Sequence, residues 1–435
     1  MKHVSLLCLV GLLGCSGAAG LGAGRTEAAE KWYQRANAAF AVADVEEAHD
    51  SVNRALATSP NDPETRLLAA KIALARLDFA ETLRLLKGLK CDDAGDERCK
   101  KLGTEAASLR GRAYWYKGDL EPAADELEAM LNDPEVKDEW AKSVSKLARQ
   151  GQGRTPFTLS GALVAQAEIV HVAPEAPYFV IQIEIDGEPA LAMVHTANAE
   201  VVLDSSTRQE PSWVSLRIGD RLEVKDVPAV TQDLSGLGKE LGAPVKALLG
   251  VNLLRHLNAT IDYDGHQFVA RSFTPPPPPD ATRVPLYYFR GGGMVVKSGF
   301  GGDKGPSAAL LVNTGAWYPL ALDTAGWKKA GIDLASLKPI PQAPGVKEGV
   351  VPMLRVGAFD VPQVPAVFGD QMNHDIEAIE KQLTPAALDG VMGAGLLSHF
   401  RCTFGDGGRL LWIEDNTAMQ RVLNQGQLAP RGAPA

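Results

Sequence analysis

Two hydrophobic periods divide the chain. From about residue 30 to 150, apolar residues recur at i, i+3 and i+4 in segments rich in Ala, Leu and Glu, the spacing of amphipathic helices. After RQGQGRTP, residues 149–156, the period falls to two. YFVIQIEIDGEPALAMV (178–194) alternates around Asp186-Gly187, the pattern of two strands joined by a tight hairpin. Five consecutive prolines, residues 275–279, interrupt this β-patterned half and predict a stiff, extended polyproline II spacer.

The helical half repeats itself. ADVEEAHDSVNRALATSPNDP (43–63), LDFAETLRLLKGL (77–89) and GDLEPAADELEAML (118–131) share the order turn, Asp, apolar, two residues, small residue, helix. Ala48 and Thr82 lie 34 residues apart, and Ala123 follows 41 later. With Gly111, Tyr114 and Gly118, this pattern resembles the tetratricopeptide repeat. The resemblance implies two or three helix pairs over residues 30–152, a module that binds partners or spaces domains.

The β-patterned half carries one unit twice. LRIGDRLEVKDVPAV (216–230) matches LRVGAFDVPQVPAV (354–367). LLGVNLLRHLNATIDYDGHQF (248–268) matches VMGAGLLSHFRCTFGDGGRLL (391–411), and MVHTANAEVVLDSS (193–206) matches LVNTGAWYPLALDTA (311–325). Three blocks in the same order, on either side of residues 274–283, point to a duplicated unit packed as two pseudo-symmetric lobes, 155–273 and 284–418.

Together these blocks resemble the retropepsin-like aspartic peptidase domain. The likeness rests on an apolar strand entering X-Thr-Gly/Ala-small, a later apolar-apolar-Gly (LLG at 248–250, VMG at 391–393) and the segment that follows it. It implies a mainly β, bilobal fold with a cleft between the lobes. In that family each lobe contributes one aspartate, and the pair shares a proton because two carboxylates about 3 Å apart cannot both ionise. Here the two aspartate positions are His195 and Asn313. Asn313 keeps the shape of aspartate but accepts no proton as a base, and His195 is the wrong length for a shared-proton dyad. The flanking loop residues Thr196, Ala197, Thr314 and Gly315 keep the architecture without the acid. The expectation is a degenerate site with no catalytic residue.

Other candidates have plainer readings. Asp323, in LDTAG, aligns with Asp204 and reads as the N-cap of a short helix. His256 and His399 share a position at a helix end, where a histidine meets the dipole. Trp317 and Tyr318 stand where the motif carries small residues, and would narrow the cleft or offer a stacking surface.

The N-terminus changes the setting. Lys2 and His3 precede an apolar run over residues 4–13, and LLGC ending at Cys15 resembles a bacterial lipobox. That resemblance implies a signal peptide (1–14), lipid on Cys15, a flexible tether (15–29) and a location on the bacterial cell envelope. Ser16 favours the outer membrane over the inner. Cys91 and Cys99 flank a polar segment and are a candidate disulfide in such a compartment; Cys402 reads as a small buried hydrophobe. No histidine or cysteine spacing suggests a metal, and no cofactor is expected. A net charge of −9 argues against nucleic acid. Residues 419–435 are expected to be a disordered tail. The expected role is binding of a peptide or protein partner by the inter-lobe cleft or the helical repeats. The alternatives are an active hydrolase in which His195 activates water, and a structural envelope component.

Overall fold

The computed structural model describes residues 25–89, 96–172, 177–219, 221–290, 292–302, 305–370, 372, 376 and 387–415. The signal segment, Cys15, Cys91 and the 419–435 tail lie outside the described residues. Cys99 is disulfide-bonded.

Seven helices come first: α1 (Glu27–Ala41), α2 (Val45–Thr58), α3 (Pro63–Ala75), α4 (Phe79–Leu86), α5 (Glu97–Lys117), α6 (Leu120–Leu131) and α7 (Glu139–Gln150). The helical region therefore starts inside the stretch expected to be tether. Thr26 accepts a capping hydrogen bond from the Ala29 amide, and Arg25 pairs with Glu30, Asp62 and Glu64. The helices pack as three successive pairs, α1 on α2, α3 on α4 and α5 on α6, followed by α7. The repeated small residues Ala48, Thr82 and Ala123 are fully buried. Gly111 serves the same end, since a Cβ there would lie 2.6 Å from Leu127 Cδ2. The three repeated aspartates sit at the N-caps of α2, α4 and α6, but only Asp78 caps with its side chain. Asp44 instead pairs with Lys297 in the β region.

Two closed six-stranded sheets follow. The first runs Val180–Ile185, Glu188–Val194, Val245–Leu249, Val201–Asp204, Leu222–Gln232, Ser212–Ile218 and back to Val180–Ile185. At the predicted hairpin Asp186 and Gly187 both have positive φ, the conformation a two-residue turn between twisted strands requires. The second sheet runs Gly293–Phe300, Ser307–Asn313, Gly390–Gly393, Leu320–Leu322, Phe359–Gly369, Val346–Val356 and back to Gly293–Phe300. In both, the two parallel pairings fall at the same places in the circuit.

A third sheet of six strands draws three from each half, in the order Thr282–Pro285, Leu410–Asp415, Phe400–Gly405, Thr260–Asp262, Gln267–Arg271, Val164–Glu168. Its middle is the pairing of Thr260 with Thr403, whose hydroxyls are 2.8 Å apart. The proline tract links the fifth strand of this sheet to the first. Four strand spacings amount to about 19 Å, and five polyproline II residues cover about 15 Å of it. The strand Thr282–Pro285 begins within the expected linker.

One apolar core runs through both closed sheets and the shared one. The helices do not stand apart from it as a spacer would. Phe40 and Leu74 share a second core with Phe289, Leu311 and Val391 of the second closed sheet. Helices α5 to α7 bury Trp115, Leu127 and Leu147 beside Trp213 and Val230 of the first, and the Trp213 indole donates to Leu147 O at 2.9 Å. Among the described residues no helix is long and apolar enough to cross a membrane.

Candidate functional site

The strand Glu188–Val194 delivers His195, and the equivalent strand Ser307–Asn313 ends on Asn313. The turns that follow interlock. The Thr196 amide donates to Thr314 Oγ1 at 3.1 Å and the Thr314 amide to Thr196 Oγ1 at 3.0 Å. Each hydroxyl donates in turn to a carbonyl of the opposite strand, Thr196 to Val312 O, just before Asn313, and Thr314 to Val194 O, just before His195. Both threonines are buried. This clasp fixes His195 and Asn313 beside each other.

What stands there is not an acid pair. A Cβ on Gly315 would fall 2.3 Å from His195 Nε2 and 3.1 Å from Asn313 Oδ1, so the imidazole lies over the second turn, beside the asparagine. Gly315 is the residue that makes room for the ring. Asn313 Oδ1 accepts from the Gly315 amide at 2.9 Å, a bond within its own turn. His195 Nδ1 is buried without a partner, and burial pushes the imidazole down to about 4. At neutral pH the pair is therefore an uncharged ring against an amide. A base this weak activates water poorly, and neither group shares a proton in the way two carboxylates do.

The plainer readings fare unequally. Asp323 caps the helix Thr324–Lys329 through the Gly326 amide at 2.6 Å. Cys402 is a buried free thiol that burial pushes up to about 12. The shared helix-end histidines diverge. His399 is exposed. His256 stacks on Phe157 at 4.5 Å, and burial, with Arg255 adjacent, lowers it to about 4. A neutral imidazole gains nothing from a helix dipole, so stacking and the hydrogen bond between Nδ1 and Asn252 O, at 2.5 Å, hold it. Trp317 is 48% exposed and meets Tyr318 edge-on at 5.9 Å, so it stands proud of the second turn as a surface ring.

Sequence reasoning missed a buried polar cluster beside the first turn. Glu200 Oε1 accepts from the Trp115 and Trp140 indoles, both at 3.2 Å, and Oε2 from Asn252 at 3.4 Å. Burial raises the Glu200 carboxyl above its ordinary range, against the pull of these donors. The signal was a lone glutamate opening the apolar run EVVLD. Its two indole partners lie 85 and 60 residues away and could not be named from the sequence.

A cleft of about 920 Å³ opens next to this cluster. Helices α5 and α7 form one wall; residues 197–199, Leu311, Phe289, Arg290, Gly292 and Gly293 form the other. It borders the turn after His195 through residues 197–199, yet neither His195 nor Asn313 lines it.

No family model matches the chain, and no curated protein does. Among solved structures, a retropepsin-like aspartic protease from Rickettsia conorii aligns over 32% of this chain and 95% of its own, at 16% identity and a TM-score of 0.23.

Proposed function

We propose that this chain is a non-catalytic relative of the bilobal aspartic peptidases that binds an extended peptide or a protein segment between its lobes. One observation carries the reading: the clasp of Thr196 and Thr314 is complete, while the positions it presents hold a neutral imidazole and an amide. Catalysis by this architecture needs a carboxylate from each lobe, and losing a member of such a unit costs about 10⁴- to 10⁶-fold. The two closed sheets support an origin by duplication, since they repeat one strand circuit with the same parallel pairings. The three helix pairs, with buried small residues at the repeated positions, support a tetratricopeptide-like region. Lipidation at Cys15 would hold the whole at the bacterial envelope, facing protein or peptide partners there.

The test is activity before and after repair. Wild-type protein is expected to cleave no peptide, whereas His195→Asp combined with Asn313→Asp is expected to produce slow cleavage with an acidic optimum, blocked by pepstatin-type inhibitors. Pepstatin-sensitive cleavage by the wild type would overturn the reading.

A further inference from the structure

We propose that the cavity between the end of α5, residues 154–157, Pro228 and the helix Val251–His256 binds a small carboxylate with a short apolar tail, its head on Arg255 and its tail among Trp115, Pro156 and Phe157. The inference stands apart from the peptide-binding reading and does not depend on it.

Arg255 is the reason for a ligand. It lines the cavity and is only 7% exposed. A guanidinium carries five N–H donors, yet among the described residues Arg255 meets a single acceptor, Tyr116 O, 3.2 Å from Nη2. Its Nε is buried without a partner. The Phe79 and Tyr116 rings, 5.5 and 6.0 Å away, ease the charge without supplying a lone pair. Glu200 also lines the cavity, but it pulls on Arg255 from beyond ion-pair distance, and its oxygens already accept from Trp115, Trp140 and Asn252. What Arg255 lacks is acceptors, whatever the charge on Glu200. The remaining polar groups are engaged elsewhere. Lys117 pairs with Asp119 and Arg154 with Asp226, and His256 is held by Phe157 and Asn252 O.

A polar cavity beside unmet donors fills with water or with a ligand. Two features select a carboxylate with a tail. A carboxylate offers the guanidinium fork two acceptors in one plane, and its charge lowers the cost of burying the cation. The other walls are apolar, formed by Trp115, Pro156, Phe157 and Pro228, and water alone would leave them wet. Phe157 has a left-handed φ of 57°, uncommon for a ring-bearing residue, and its ring stacks on His256 at 4.5 Å to complete this wall. The volume is about 140 Å³. At about 30 Å³ for each water-sized group, that is room for about five non-hydrogen atoms, the size of propionate. Because α5 supplies one wall and the first closed sheet another, occupancy braces the joint between them.

Ligand-observed NMR on the full-length protein, at pH 7 and constant ionic strength, compares propionate with propionamide, its neutral isostere, and uses chloride as a competitor. Propionate is expected to bind saturably and at least tenfold more tightly than propionamide, and equimolar chloride is expected not to displace it. Hydrogen exchange then places the site: propionate, and not propionamide, should slow residues 115–118, 154–157 and 252–257. No saturable binding means that the cavity holds water alone and overturns the proposal. Equal binding of the amide, displacement by chloride, or protection confined to other residues overturns it as well. Arg255→Gln, checked for folding by circular dichroism, is expected to weaken propionate at least tenfold, and a folded variant that binds like wild type also overturns the assignment. If that variant does not fold, the exchange pattern of the wild type decides by itself.

Discussion

Thr196 and Thr314 hold each other by the same pair of bonds. Each takes the other's amide on its hydroxyl oxygen and gives its own proton to a carbonyl of the opposite strand. Thr314→Val keeps the volume but strands the Thr196 amide and the Val194 carbonyl in a buried place. The expected loss is about 2–4 kcal/mol, since each buried orphan costs about 1–3 kcal/mol. Thr314→Ser should lose less than half of that, because it keeps the hydroxyl. Urea denaturation of the three proteins measures both values, and a Val variant as stable as wild type would show the clasp to be dispensable.

The clasp joins residues 118 apart and was implied only by the resemblance, whereas the turns that carry it were legible locally: HTA and NTG each follow an apolar strand. The helix pairs were legible for the same reason, through period and repeated small residues such as Ala48 and Thr82. The docking of the helices onto both closed sheets was not. It depends on Trp115 and Trp140 meeting Glu200, and on Phe40 meeting Phe289 at 5.1 Å, contacts that no local pattern encodes. The histidines mark a second limit. His256 and His399 occupy matching letters in two similar sequence blocks, but only His256 has a Phe157 to stack upon. Matching position did not bring matching environment.

Gly315 should tolerate no side chain while His195 is present. A Cβ there overlaps the imidazole, whose nearest atoms would be 2.3 and 2.4 Å away. Gly315→Ala is expected to cost about 1–3 kcal/mol, as overpacking does. In a His195→Ala background the same substitution should cost less than about 1 kcal/mol. A double-mutant cycle gives the coupling; additive effects would mean that the ring does not lie over the turn.

The two buried histidines predict a pH dependence with a definite sign. His195 and His256 stand at about 4 in the folded chain, against an ordinary value of about 6.5. Above about 6.5 both states leave them neutral and they contribute no slope. Between about 6.5 and 4 the unfolded chain protonates first, so each histidine lowers stability by up to about 1.4 kcal/mol per pH unit as pH falls. Glu200, raised by burial, acts with the opposite sign: the folded state takes its proton first, and stability rises as pH falls through its range. The informative quantity is therefore the difference between proteins. Denaturation curves of His256→Gln should fall less steeply than wild type across this window and run parallel to it above pH 7. Parallel curves throughout would remove His256 from the account.

Glu200 joins the helices to the first closed sheet, and the chemistry of its carboxyl determines which substitution breaks the joint. Two indoles share Oε1, Asn252 reaches Oε2, and burial favours the neutral form. Glu200→Gln keeps an acceptor for both indoles, and its amide group can donate to Asn252 once that side chain turns over. The expected change is within about 1 kcal/mol, the scale of one net hydrogen bond. Glu200→Ala orphans two buried indole N–H groups and one amide and leaves a void beside Trp115, at a cost of about 3–5 kcal/mol. Because those donors sit on α5 and α7, the loosening should appear there first. Hydrogen exchange in residues 106–117 and 139–150 should accelerate in Glu200→Ala and stay near wild type in Glu200→Gln. Equal acceleration in both would mean that the negative charge, and not the accepting oxygen, holds the joint.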